Sequence, residues 1–209
     1  MVFEAVEREK QPHSVKDLFL VSERGKEQFM PRVSSGDRGI DFTFNTPWES
    51  GKNFFAETAG KQSIVFFLRY YGCTACQFEI HALTQSYPRF ASAGAEGYVV
   101  LQSEAETIRN EVKQEDIPFT IIVDPRQQLY AMHAIGSRDP GVERTQEHLA
   151  KMANAKALGF THGKYEGNEY QLPAVILYGP DHVIRYAHYG RESSDIPDYD
   201  FLLARILEK

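Results

Sequence analysis

The sequence predicts an α/β domain with a mixed central sheet flanked by helices. Three short apolar runs of strand length alternate with helical stretches, and two late strands are joined by a tight turn. The only two cysteines of the 209 residues stand at C-x-x-C spacing, Cys73-Thr74-Ala75-Cys76, directly after the first of the apolar runs. Alternating strands and helices make a parallel sheet, and a terminal hairpin adds antiparallel edge strands.

Taken in order, residues 1–38 are polar and irregular and read as an N-terminal extension, with a short helix expected around Val15–Val21. Residues 39–209 read as the domain. Gly39 to Phe44 alternates apolar and polar side chains, as a half-buried strand does. Ile64-Val65-Phe66-Phe67-Leu68 is continuously apolar, the pattern of a central strand covered on both faces. A helix should run from Gln77 to about Tyr87, with Pro88 ending or kinking it. Tyr98 to Leu101 and Phe119 to Asp124 are further strands, separated by a polar helix from Glu104 to Lys113. Leu129 to Ile135 is expected to be helical. Residues 137–170 interrupt the alternation with a helix over Val142–Leu158 and a glycine-rich stretch, Gly159 to Gly167. Ala174 to Tyr178, the turn Gly179 to His182 and Val183 to His188 form the hairpin, and Phe201 to Leu207 is the closing helix.

Composition narrows the function. A formal net charge of −6 offers no general attraction to nucleic acid or to an anionic membrane. The charged N-terminal segment has no apolar stretch of signal-peptide type, and no window has the roughly 18 apolar residues of a membrane span. The expected location is the cytoplasm. Gly36-Asp37-Arg38-Gly39 lacks the later glycine and the preceding strand of a dinucleotide fingerprint, and no cofactor is expected.

The chemistry centres on the cysteine pair. At the start of a helix, unpaired backbone N–H groups and the positive end of the macrodipole favour a thiolate. A thiolate is the species that attacks a disulfide or a peroxide. Two intervening residues in the first helical turn bring the sulfurs within bonding reach. Cys73 is therefore expected to attack, while Cys76, deeper and less exposed, resolves the intermediate. Two other readings compete. Half of a zinc site is one, but zinc needs four ligands, no second C-x-x-C exists and His81 would be a lone helper. A pair of inert buried thiols is the other.

The chain resembles the AhpC/TSA (redoxin) branch of the thioredoxin superfamily over roughly residues 36–207. The likeness rests on Asp41-Phe42-Thr43-Phe44, the Gly60-Lys61 turn, Cys73–Cys76, Pro118-Phe119 to Asp124, and Leu172-Pro173-Ala174 to Tyr178 with its hairpin. It implies a thioredoxin-like fold, with residues 137–170 as a helical insertion before the strand that a cis-proline, Pro173, would open. Peroxiredoxins are similar too. Their peroxidatic cysteine is followed three residues later by glutamate, which places Cys76 and Glu79 in those positions. The family's threonine is replaced by Cys73 and its proline by Arg69, and the arginine that helps hold peroxide has no counterpart near Leu172-Pro173.

The resemblance implies a thiol–disulfide oxidoreductase using the dithiol. The alternatives are a peroxiredoxin-like thiol peroxidase or a non-catalytic binding domain that keeps the fold. Because peroxide reduction needs donors that stabilise the leaving oxygen, the missing arginine favours disulfide exchange. The implied oxidants are protein or small-molecule disulfides or hydroperoxides, the implied reductant is thioredoxin or glutathione, and a homodimer is a further implication. Pro173, Tyr71, Thr74 and Glu79 are the expected supporting residues: Pro173 and Tyr71 for a substrate groove, Thr74 as a donor to a sulfur, Glu79 as a proton acceptor or anchor. No metal ligand set is expected.

Overall fold

A computed structural model describes residues 19–23 and 26–208. Its centre is β5 (Gln62–Phe67), which the apolar run around Ile64 makes and which is buried along nearly its whole length. On one side β5 pairs in parallel with β6 (Ala95–Leu101), and β6 with β7 (Thr120–Val123). On the other side β5 pairs antiparallel with β8 (Ala174–Tyr178), and β8 with β9 (Ile184–Tyr189). The sheet order is β7-β6-β5-β8-β9, a mixed five-stranded sheet of thioredoxin type.

Alternation along β5 builds two core layers. Ile64 and Phe66, followed by Leu68, face the long helix α2 (Thr74–Ser92) and the closing helix α6 (Tyr199–Leu207). Val65 and Phe67 face the opposite layer, which holds Phe42, Phe44 and Phe54 with Leu129 and Tyr130. Phe54 opens the one-turn helix α1 (Phe54–Glu57), which follows the short ladder of β3 (Thr43–Phe44) with β4 (Lys52–Asn53). Tyr130 lies in α4 (Gln128–Met132), and its hydroxyl donates to the carbonyls of Leu68 and Val100 at 2.5 and 2.9 Å. That phenol ties the ends of β5 and β6 together just before the cysteine turn.

Several elements depart from the sequence reading. The alternation over residues 39–44 is present as burial, but only Thr43 and Phe44 join a ladder, because the Asp41 carboxylate takes the amides of Phe42 and Phe55 instead. Of the helix expected over Val15–Val21, residues Val15 to Leu18 lie outside the described residues. Phe19–Val21 belong to a strand, β1 (Phe19–Glu23), paired with β2 (Lys26–Met30). Pro88 does not end α2, which continues to Ser92 so that Phe90 can be fully buried against Tyr199. The helix stops where Gly94 adopts φ +84°, a conformation that side chains oppose.

The polar helix is α3 (Ala105–Glu111), and the inserted helix is α5 (Gln146–Ala157). The latter starts at Gln146 rather than Val142 because the Thr145 hydroxyl caps the His148 amide. Pro173 is buried immediately before β8, but its peptide bond is trans, since no cis bond occurs among the described residues. Its ring packs on Gly190, and its carbonyl accepts the Gly190 amide at 2.9 Å. An ordinary trans proline suits the first residue of such a strand, where the missing N–H disturbs no ladder bond.

His133 predicts how stability follows pH. Its fully buried ring bridges the Leu129 carbonyl and the Tyr178 hydroxyl, and burial lowers its pKa from 6.5 to about 4. The unfolded chain therefore binds a proton that the native ring refuses, so stability falls as pH drops from about 6.5 toward 4. The full effect is on the order of 3 kcal/mol. Urea titrations at pH 7 and pH 4.5 should show this loss, and a His133→Gln variant should flatten the slope between them. An unchanged slope in the variant would remove His133 as its source.

Candidate active site

Both cysteines stand where β5 hands over to α2. Beyond Phe67 the chain stays bonded to β6, through Leu68 N to the Val100 carbonyl at 3.1 Å and Gln102 N to the Arg69 carbonyl at 2.7 Å. It then turns over Tyr70–Gly72, and Cys73 becomes the N-cap of α2 in extended conformation. The Cys73 sulfur occupies the position of a capping oxygen and accepts the Cys76 amide at 3.3 Å. The Arg69 guanidinium donates to the same sulfur through Nη2 at 2.9 Å. One turn along, the Cys76 sulfur accepts the backbone amide of Arg69 at 3.3 Å.

The two thiols are thereby made unequal. The Cys76 thiol donates toward Cys73, the Arg69 charge lies beside it and the capped amide adds a third donor. Together these outweigh burial and lower the Cys73 pKa from 9 to about 6. Burial, together with the proton it gives to Cys73, pushes the Cys76 thiol well above the ordinary range. A low-pKa sulfur beside a protonated partner is the condition for attack followed by resolution.

One feature contradicts the sequence reading. Cys73 is not the exposed member of the pair: it is 0% exposed and Cys76 1%. Residues of the glycine-rich stretch bond to the residues that flank them. The Gly163 amide donates to the Gly72 carbonyl at 2.7 Å, and Gln77 Nε2 to the Thr161 carbonyl at 3.0 Å. The Tyr70 hydroxyl meets His162 Nε2 at 2.9 Å and donates to the Glu169 carboxylate, while Arg69 Nη1 donates to the Glu169 carbonyl. Sequence reasoning gave no role to Arg69, His162 or Glu169. For Arg69 a signal was available: a charged residue directly after a buried strand, four positions before Cys73.

The other expected residues fall at varying distances from the sulfurs. The register of Phe67 with Ala174 sets Pro173 beside the end of β5, on the cysteine side of the sheet. Thr74 is half-buried in the first turn of α2, and its hydroxyl bonds neither sulfur. Tyr71 donates its amide to Ser103 Oγ at 2.9 Å, and its half-buried phenol, raised by burial and by the Glu111 charge, points toward α3. Tyr70, by contrast, is fully buried and joins the cover over the site. His81 bonds Gln85 and packs on Phe160, away from the thiols. Among the described residues no cluster of three or more His, Cys, Asp or Glu side chains is gathered as a metal site would require.

Glu79 is an anchor. Buried on α2, it takes the Lys151 ammonium of α5 and the Tyr199 hydroxyl of α6, the latter at 3.1 Å. Lys151→Met would leave that carboxylate buried without its counter-charge and is expected to cost about 3 kcal/mol of stability. Denaturant unfolding measures this, and Glu79→Gln in the same chain should recover much of the loss. A single Lys151→Met variant as stable as the parent would refute the anchoring role.

The fold with its comparisons defines a redoxin-type thiol oxidoreductase or peroxidase. The sequence pattern of the AhpC/TSA family matches residues 36–187, and the chain belongs to that family. Peroxidoxin BcpB from Mycobacterium tuberculosis superposes with a TM-score of 0.61 at 12% identity, covering 84% of this chain and 97% of its own. A cysteine-to-serine mutant of peroxiredoxin 6 from Arenicola marina gives 0.59 at 16% identity, over 83% of this chain and 72% of its own. A thiol:disulfide interchange protein DsbE from Chlorobium tepidum gives 0.52 at 15% identity, over 84% and 96%. At these identities the likeness is one of fold. No curated protein matches the sequence significantly. Among the described residues no helix is long and apolar enough to cross a membrane.

Proposed function

We propose that the chain is a dithiol–disulfide oxidoreductase in which Cys73 attacks and Cys76 resolves. The observation that carries the reading is the Cys73 sulfur at the cap of α2, holding the Cys76 amide at 3.3 Å and Arg69 Nη2 at 2.9 Å, with the second thiol one turn away. The Cys73 thiolate attacks a disulfide, forming a mixed disulfide and releasing one thiolate. Cys76 then gives up its proton and attacks the Cys73 sulfur, which releases the second thiolate and closes the Cys73–Cys76 bond. A dithiol of the thioredoxin kind, or two molecules of glutathione, supplies the two electrons that reopen it and leaves as a disulfide.

Hydroperoxide reduction is the second reading, and Arg69 favours it. The guanidinium supplies a donor at the attacking sulfur, the kind of group that can stabilise a leaving oxygen. There Cys73 takes the terminal oxygen as a sulfenic acid and the alcohol or water departs. Cys76 then condenses with the sulfenic acid, releasing water and forming the same disulfide.

Rates of alkylation at each cysteine across pH test the shared core of both readings. Cys73 should titrate near pH 6, with Cys76 unreactive until well above pH 9. Preferential labelling of Cys76 at neutral pH would reverse the assignment.

A further inference from the structure

We propose that residues 160–169 form a strap bound back onto the active site, so that Cys73 serves small thiol oxidants and excludes protein disulfides. This rests on the dithiol reading and adds the substrate class. The shared chemistry is a weak S–S or O–O bond in a molecule small enough to reach the sulfur without a docked peptide.

A protein disulfide brings its flanking chain, and such chains dock by pairing with free backbone at a sheet edge or turn. On one flank of the sulfurs, the Gly72 carbonyl is already taken by the Gly163 amide at 2.7 Å. Beside Pro173, Leu172 N donates to the Gly136 carbonyl at 3.0 Å and Arg138 N to the Tyr170 carbonyl at 2.7 Å. Ser137 bridges to Gln171 between them. The chain thus occupies with its own insertion the positions an incoming peptide would use, and Cys73 is 0% exposed beneath it.

The strap's hold is mostly polar. Gln77 reaches Thr161, Tyr70 reaches His162 and Glu169, and Arg69 reaches Glu169, while Phe160 packs edge-on against Phe78 at 6.1 Å. Tyr165, stacked on His162 at 4.0 Å, is 67% exposed. A segment with few buried apolar contacts opens at low cost. A small oxidant needs only a shift of a few side chains, whereas a protein disulfide needs the strap removed.

Gly72 offers a clean way to remove it. Its φ lies outside the left-handed region, so alanine fits the backbone there, yet the added Cβ would collide with the Lys164 carbonyl oxygen and backbone nitrogen. Gly72→Ala therefore pushes residues 163–164 off the site. Phe160→Ala, which loses only the packing on Phe78 and His81, is a second and milder variant that guards against a folding failure.

Reduced protein would be oxidised by bis(2-hydroxyethyl) disulfide, by hydrogen peroxide and by insulin, with formation of the Cys73–Cys76 disulfide in this chain followed in each case by alkylation of its remaining thiols and intact mass. The parent protein should react with at least one small oxidant and at least tenfold more slowly with insulin. Either variant should raise the ratio of insulin rate to small-oxidant rate at least tenfold. Parent protein that takes insulin as fast as the small oxidants would overturn the strap, as would an unchanged ratio in both folded variants. The two small arms separate disulfide exchange from peroxide reduction. Failure of every oxidant to form the Cys73–Cys76 disulfide, in parent and variants alike, would instead sink the dithiol reading beneath it.

Discussion

Cys76→Ser is expected to stop the reaction at its halfway point. With Cys73 free to attack and no thiol one turn along to displace the bound group, an added disulfide should remain attached to Cys73. Each protein molecule should then release a single thiol equivalent. Without added monothiol, turnover should fall on the order of a thousandfold or more, as removal of a covalently participating group does. The serine hydroxyl can still donate toward the Cys73 sulfur, so the low pKa should survive, and capture should be as fast as in the parent. That expectation separates a lost resolver from a lost nucleophile. Cys73→Ser, whose remaining thiol is buried and held well above the ordinary range, should form no adduct at pH 7. Intact-mass measurement after mixing reads both outcomes. An adduct in Cys73→Ser but not in Cys76→Ser would exchange the two roles.

Replacing Arg69 should have the next largest effect, on the thiolate itself. Arg69 is mostly buried, with Nη2 on the Cys73 sulfur and Nη1 on the Glu169 carbonyl, and the two sulfurs lie close enough to raise its own pKa. In Arg69→Met the Cys76 donation and the capped amide remain, so the Cys73 pKa should rise from about 6 by about 1–2 units rather than the whole way. The alkylation rate at pH 7 is a poor measure of this, because a more basic thiolate is also a better nucleophile and the two effects offset. The midpoint of the alkylation profile and the disulfide potential are better ones. Losing about two units of thiolate stabilisation makes the disulfide harder to reduce by about 30 mV at pH 7.

The same group links stability to pH. Because the folded Cys73 pKa is depressed, the reduced protein gains stability as pH rises from about 6 toward 9, and Arg69→Met should narrow that window from below. Arg69→Lys keeps the charge without the fork that reaches both sulfur and carbonyl, so it should fall between parent and methionine. An unmoved midpoint in Arg69→Met would show that the helix end and Cys76 alone hold the anion.

The contrast between these two experiments shows where the information lay. The closeness of Cys73 to Cys76 was legible from spacing, because a helix of 3.6 residues per turn brings positions three apart onto one face wherever it occurs. The order β5, α2, β6, β7 and the late hairpin were legible for a similar reason: an apolar run of strand length has few ways to be buried on both sides. Pro88 does not end α2, because its local preference is overruled by the burial of Phe90 farther along the helix. Its place beside Cys73 singles Tyr71 out for a groove, but only packing decided that Tyr70 is the one bonded to His162 while the Tyr71 amide goes to Ser103.

Sequence alone determined the strand order, the presence of a helix after β5 and the pairing of the two thiols, since each follows from neighbours a few residues away; α2 itself begins at Thr74, three residues before the expected Gln77, because Cys73 caps it. The tertiary structure decided what surrounds the Cys73 sulfur. Arg69 became its counter-charge, Glu79 an anchor to Lys151, and the strand β8 opened on a trans proline. It also decided that the residues flanking Cys73 are bonded to a distant part of the chain, Gly72 to Gly163 and Arg69 to Glu169. Such contacts join chain segments whose proximity depends on the closure of the whole fold, and no local period of hydrophobicity or charge encodes them.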